Sequence, residues 1–282
     1  MSIENPEIGR RIDVGGIQTN YHDQGSGFPV LMIHGSGPGV TGWANWRLSI
    51  PAFAQRGRVV VPDLVGFGYT DRGPVGKRLD LDSWVEHLVG LLDALDIEQA
   101  DLVGNSFGGA LALAVAIRHP GRVRKLVLMG SVGTSFPITP GLDAVWGYTP
   151  SLENMRAILD IFAYDRSLVS DELAELRYRA SIRPGVQEAY ADAFGHAPRQ
   201  RHLEALASDE ADIARIPHET LIIHGREDRV IPVSNSIKLS GLIPDSQLHL
   251  YPHCGHWTQI EKRDDFNRLV CDFLFRSREA GG

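Results

Sequence analysis

The chain has 282 residues, enough to bury a substantial core without disulfide or metal staples. Apolar residues make up 43% and charged residues 22%, and a formal net charge of -7 lacks the basic excess that a nucleic-acid-binding surface needs. No apolar run approaches membrane-spanning length, and residues 1–11 are polar and interrupted by Pro6 and Gly9, so the protein reads as cytoplasmic, with neither nucleic acid nor membrane as a partner.

Apolar runs rich in Val, Ile and Leu predict strands at residues 19–23, 30–34, 58–62, 101–105, 125–129, 220–224 and 247–251. Several are apolar throughout, as strands covered on both faces must be. Between them lie segments of helical period. The clearest is 83–95, where Ser83 and Glu86 form an S-x-x-E capping box. Another runs over 107–119 and stops at Pro120-Gly121. The alternation predicts an α/β fold with a mostly parallel central sheet, helices on both faces, and the first strands antiparallel to the rest.

From residue 134 to 212 the strand rhythm gives way to helical patterns broken by prolines, including Pro137, Pro140, Pro150, Pro184 and Pro198. This segment reads as an inserted helical lid on a core made of 1–133 and 213–282. A lid excludes water from a site at the C-terminal strand ends. The two cysteines, Cys254 and Cys271, make no C-x-x-C pair and read as core thiols.

Following Asp101 to Val103, at the end of the strand at 101–105, stands Gly104-Asn105-Ser106-Phe107-Gly108-Gly109, a G-x-S-x-G match. A nucleophile at a sharp strand-to-helix turn sits in a strained conformation that leaves no room for flanking side chains, hence the glycines. Ser106 needs a base and a carboxylate that orients the base. Asp228 follows the strand at 220–224, with Glu227 beside it as a rival. His256 follows the strand at 247–251, before a helix expected from about Glu261, with His253 and His249 as rivals. The order Ser106, Asp228, His256 is that of the α/β-hydrolases. Oxyanion donors are expected from the Phe107 amide and from Ser36 in His34-Gly35-Ser36-Gly37-Pro38-Gly39, which follows the strand at 30–34. That glycine run lacks the G-K-[ST] ending of a phosphate loop. A serine at the elbow, where dehalogenases and epoxide hydrolases place aspartate, selects addition to a carbonyl, and no cofactor or metal is called for.

The sequence resembles the meta-cleavage product hydrolases along essentially its whole length. The likeness rests on residues 34–39 with Trp43-Ala44-Asn45, on 104–109, on Gly141 to Pro150 (GLDAVWGYTP), on Leu176-Arg177-Tyr178, on 224–228 and on Gly255-His256-Trp257-Thr258-Gln259-Ile260. It is strongest with the branch acting on monocyclic ring-fission products. The resemblance implies ketonisation of a 2-hydroxy-6-oxo-hexa-2,4-dienoate, then hydrolysis of its C5–C6 bond by Ser106 with His256 moving protons. It implies Asn45, Asn105, Arg177 and Trp257 around the carboxylate and diene, and Leu142, Trp146, Leu203 and Val230 around the 6-substituent. A homo-oligomer, as a dimer, is also implied. On a helix over 171–182, Leu173, Leu176 and Ala180 form an apolar stripe with Arg177 at its edge and Arg179 near the opposite face. Arg177 is therefore the better carboxylate clamp on geometry as well. A general carboxylesterase, or a hydrolase of 6-phenyl ring-fission products, is the alternative on the same triad.

Overall fold

In the computed structural model, which describes residues 5–72 and 79–276, eight strands form one sheet. They are β1 (Arg10–Val14), β2 (Ile17–Gln24), β3 (Pro29–Ile33), β4 (Arg58–Pro62), β5 (Ala100–Asn105), β6 (Val123–Met129), β7 (Glu219–Gly225) and β8 (Ser246–Tyr251), in the spatial order β1-β2-β4-β3-β5-β6-β7-β8. Strand β2 is antiparallel to β1 and β4, and all other pairs are parallel. Successive side chains point to opposite faces of a strand. Leu31 and Ile33 of β3, Leu102 of β5 and Leu126 and Leu128 of β6 thus join one core, while Val30, Met32, Val103 and Val127 join the other.

Two helices follow β3, α1 (Gly42–Trp46) and α2 (Ile50–Ala54); α3 (Leu81–Ala94) precedes β5, and α4 (Phe107–Arg118) links β5 to β6. Between β6 and β7 the chain forms α5 (Pro140–Trp146), α6 (Leu152–Phe162), α7 (Asp171–Ser181), α8 (Val186–Tyr190), α9 (Gln200–Ala205) and α10 (Glu210–Ile213), with no strand among the described residues. Helix α11 (Val233–Leu242) lies between β7 and β8, and α12 (Thr258–Glu261) and α13 (Arg263–Phe275) close the fold. Helices α3 and α4 cover one sheet face through Trp84, Leu88, Leu111 and Leu113; α1, α2 and α13 cover the other through Trp46, Phe53, Phe266 and Val270. No described helix is long and apolar enough to cross a membrane.

Three local expectations need correction. Strand β1 carries little apolar pattern, since only Val14 of RRIDV is buried; a two-residue turn, Gly15-Gly16 with φ of 60° and 88°, pins it to β2. The cap of α3 is Asp80, whose carboxylate accepts from the Ser83 amide at 2.9 Å and from Ser83 Oγ at 2.7 Å, so the Ser83–Glu86 box lies one turn inside the helix. The helix expected from about Glu261 begins instead as the short α12 and restarts at Arg263.

The sheet presents Ser106 at the junction of β5 and α4. Ser106 has φ 57° and ψ -117°, a conformation that side-chain-bearing residues rarely adopt. Its amide donates to Met129 O at 2.9 Å, and its carbonyl accepts from the Gly109 and Val132 amides at 3.0 and 3.1 Å. The glycines answer a steric need. A Cβ at Gly104 would stand 2.5 Å from Gly108 O, one at Gly108 would stand 2.5 Å from both Ile33 O and His34 O, and one at Gly109 would collide with the Ser131 hydroxyl.

Replacing Asp80 with alanine should lower stability by about 1 kcal/mol without changing turnover, read as a shift in the urea midpoint. Gly108→Ala should be more damaging, on the order of 2–3 kcal/mol, because its Cβ meets backbone on a fixed strand. A midpoint for Gly108→Ala equal to wild type would refute the packing argument.

Candidate active site

Ser106 lines a cavity of about 710 Å³ together with His256, Gly35, Ser36 and Asn105. Phe107 places its amide in the first turn of α4, while its ring is buried against Trp84 at 4.8 Å and Phe194 at 5.5 Å between centroids. Ser36 comes from the loop after β3, and its hydroxyl accepts from Trp146 Nε1 at 2.9 Å. The adjacent Gly35 amide donates to Asn45 Oδ1 at 3.3 Å. Two strand ends and one helix start thus converge, with both backbone segments expected to bind an oxyanion beside the serine.

His256 Nδ1 donates to Asp228 Oδ2 at 2.7 Å, since a carboxylate can only accept, and this leaves Nε2 as the basic nitrogen. Asp228 Oδ1 accepts from the Val230 and Ile231 amides at 2.7 and 3.0 Å, and His224 Nε2 lies 3.3 Å from Oδ2. Burial pushes the Asp228 carboxyl up, but the charge of His256 and the bonds from His224 and His256 outweigh it and hold the group well below the usual carboxylate range. Asp228 therefore stays ionised to orient the imidazole. Gly130, at φ 50°, lets this pair approach the sheet; a Cβ there would stand 3.3 Å from His256 Nδ1.

The rivals are occupied elsewhere. Glu227 accepts from the Cys254 amide at 3.1 Å and from Arg226 at 2.9 Å. His253 meets the Tyr164 hydroxyl, and His249 packs on Tyr251. Both cysteines are buried, and burial pushes the Cys254 thiol up to about 12, which leaves no thiolate to compete with Ser106.

The loop bearing His256 is tied to the helical insertion. His256 donates its amide to Phe162 O at 2.7 Å, and its ring stacks on Phe162 with centroids 5.6 Å apart. Glu261 accepts from the Gly255 amide at 2.8 Å through one oxygen and from the Tyr164 and Asp165 amides at 2.9 Å through the other.

Asn45, Asn105, Arg177 and Trp257 all line the cavity, as do Leu142 and Val230. Asn105 Nδ2 donates to Met129 O at 3.3 Å, Asn45 Nδ2 is buried without a hydrogen-bond partner, and Trp257 stacks on Phe162 at 5.4 Å. Trp146 and Leu203 do not belong to this wall. Trp146 stacks on Phe194 with its N–H spent on Ser36, and Leu203 is fully buried in the core. On α7 the buried residues are Ala174, Ala180 and Ser181, whereas Leu176 is 58% exposed at the cavity rim, so the apolar stripe is narrower than expected. Arg179, expected near the opposite face, also reaches the cavity rim, where its side chain is 72% exposed and pairs with Glu175.

Sequence reasoning missed Arg47, Gln259 and Glu7. Arg47 and Gln259 also line the cavity, and Gln259 Oε1 is buried without a partner. Glu7 lies 170 residues from Arg177 in the chain yet reaches its Nη1 at 3.0 Å, while Arg177 Nη2 donates to Gly39 O. No motif marks Glu7 in a polar N-terminal segment, whereas Arg47 stands one residue past Trp46, at the end of the helix that carries Asn45.

Residues 29–263 match the family model described as alpha/beta hydrolase fold. The chain is 64% identical over 276 residues to a 2-hydroxymuconate semialdehyde hydrolase of Pseudomonas sp. (strain CF600), covering 98% of this chain and 97% of that protein. It is 62% identical over 274 residues to a 2-hydroxy-6-oxo-2,4-heptadienoate hydrolase of Pseudomonas putida, covering 97% and 99%. A solved structure of the meta-cleavage product hydrolase CumD from Pseudomonas fluorescens IP01, complexed with acetates, superposes with a TM-score of 0.94 at 60% identity, covering 96% of this chain and 98% of that one. With a serine elbow, a paired aspartate and histidine, and near-full-length likeness to these enzymes, the chain belongs to the meta-cleavage product hydrolases of the α/β-hydrolase fold.

Proposed function

We propose that this enzyme hydrolyses the C5–C6 bond of 2-hydroxy-6-oxohexa-2,4-dienoates, with 2-hydroxymuconate semialdehyde and its 6-methyl homologue as substrates. The products are 2-hydroxypenta-2,4-dienoate and formate or acetate. The observation that carries this reading is a single cavity in which Ser106 and His256, the latter held from behind by Asp228, share walls with the nearly buried guanidinium of Arg177. An esterase needs the first two features. A substrate with a carboxylate remote from the reacting carbonyl also needs the third.

In the proposed reaction the dienol first ketonises, taking a proton at C5. Ser106 then loses its proton to His256 and adds to the C6 carbonyl, and the amides of Phe107 and Ser36 receive the oxyanion. The C5–C6 bond breaks with its electron pair delocalised onto the 2-oxygen, which takes the proton from His256; water then gives a proton to His256 as it adds to the acyl group on Ser106, and release of the acid returns that proton to Ser106. Asp228 stabilises the imidazolium that forms on the way. Arg177 holds the substrate carboxylate, Asn45 and Asn105 bond the 2-oxygen end, Trp257 packs on the diene, and Leu142 and Val230 receive the 6-substituent. Residues 134–212 act as a lid over the core formed by 1–133 and 213–282, excluding water while the anion is exposed.

Stopped-flow absorbance tests the reading. The wild-type protein should bleach the coloured dienolate of 2-hydroxymuconate semialdehyde, whereas Ser106→Ala and Asp228→Asn should each slow bond cleavage by about 10³–10⁴-fold. Persistence of the dienolate with wild-type enzyme would sink the proposal. Across hydrogen, methyl, isopropyl and phenyl at C6, kcat/KM should be highest for the first two and at least about tenfold lower for phenyl. A phenyl optimum would place the enzyme with the bicyclic ring-fission products instead.

A further inference from the structure

Arg177 is not waiting empty in the cavity. Its side chain is 11% exposed and is already paired through Nη1 with Glu7 Oε1 at 3.0 Å, and Glu7 itself is 13% exposed and lines the same cavity. A guanidinium this buried is unfavourable without a counter-charge. Glu7 supplies that charge in the unliganded enzyme, and a dienoate brings the same chemical group to the same place.

We infer that Glu7 is a built-in substitute for the substrate carboxylate, holding Arg177 until the substrate displaces it and thereby setting the apparent affinity of the polar end of the cavity. The inference rests on the proposed role of Arg177 as the carboxylate clamp. It makes Glu7 a positioning residue that acts through Arg177.

The local structure suits an exchange. The Glu7 backbone is pinned: its carbonyl accepts from Asn20 Nδ2 at 3.0 Å, its amide donates to Asn5 Oδ1 at 3.0 Å, and the Gly9 amide donates to Asn20 Oδ1 at 2.8 Å. Asn20 is fully buried and also donates to Asp63 Oδ2 at 2.8 Å, so the backbone of the segment is anchored to the core, while the Glu7 carboxylate meets Arg177 through one oxygen. Arg47 gives the displaced carboxylate a second guanidinium. It lines the cavity, donates to Ala44 O at 2.7 Å, and is disfavoured by burial and by Arg177 but favoured by Glu7. Replacing one carboxylate with another leaves Arg177 neutralised before and after binding, so substrate capture need not strand a buried charge. Each binding event must nevertheless break an existing ion pair, which weakens the observed affinity.

The test is steady-state kinetics on the ring-fission substrate, with sorbate (2,4-hexadienoate) as a non-cleavable carboxylate probe, for wild type, Glu7→Gln, Glu7→Ala, Arg177→Gln and the Glu7→Gln/Arg177→Gln double variant. Removing the competitor should lower KM and the sorbate inhibition constant by about fivefold, near 1 kcal/mol, in both Glu7 variants, with the change falling on KM rather than kcat. In the Arg177→Gln background the Glu7 substitution should have no such effect, which a merely structural role would not produce. If sorbate inhibits the wild type but both Glu7 variants bind it equally or more weakly, or if the gain persists without Arg177, the inference is overturned while the proposed function stands. A wild-type enzyme that neither cleaves the substrate nor binds sorbate overturns both.

Discussion

A serine held at φ 57° cannot hold itself there; the strands and helix around it must prevent the turn from relaxing. Here the restraint is close backbone packing. Helix α4 starts against the carbonyls of Ile33 and His34, β6 supplies Met129 O to the Ser106 amide, and Val132 returns a bond to its carbonyl. The parallel order of β3, β5, β6 and β7 brings these segments together, and the same order brings Gly130 beside the Asp228–His256 pair. One side chain on any of the elbow glycines would push α4 off the sheet and take the Phe107 amide with it. The position of Ser106 is thus hung on the packing of a few Cβ-free positions.

Two ionic arrangements, one behind the cavity wall at Asp228 and one within it at Glu7, differ in their degrees of freedom. Asp228 is fixed by two backbone amides and two imidazoles, an environment that keeps it charged and still. Glu7 meets Arg177 through one oxygen on a flexible side chain. A group that must orient a base through every step belongs in the first setting, and one that must give way to a ligand belongs in the second. The difference lies in the number and rigidity of partners rather than in the acids themselves.

What the sequence disclosed follows the same physics. The convergence of Ser106, Asp228 and His256 is legible because each follows a strand: β5 and β7 are buried along nearly their whole length and β8, SQLHLY, keeps an alternating pattern, while Asn45, Asn105, Arg177 and Trp257 line the cavity. Strand β1 is invisible in the sequence because this edge strand has only Val14 to bury, and the cap of α3 is ambiguous because Asp80 and Ser83 are both good caps and only the turn geometry chooses between them. The resemblance implies Trp146 and Leu203 in the pocket wall, yet an apolar residue on a helix with two packed sides does not announce which side faces the hollow. Glu7 was beyond reach, since nothing local to residue 7 marks a partner 170 positions away.

Glu261 joins two parts of the molecule that a fold diagram keeps apart. One carboxylate gathers the amide before His256 and two amides just past α6, so the insertion and the histidine loop are stitched by a shared acceptor. The insertion is therefore not an interchangeable module. A chimaera that borrows a relative's insertion to change substrate range, but keeps this chain's 255–261 loop, mismatches that seam and misaims the imidazole even with every catalytic residue present. Grafts that move both pieces together respect the unit that the hydrogen bonds define.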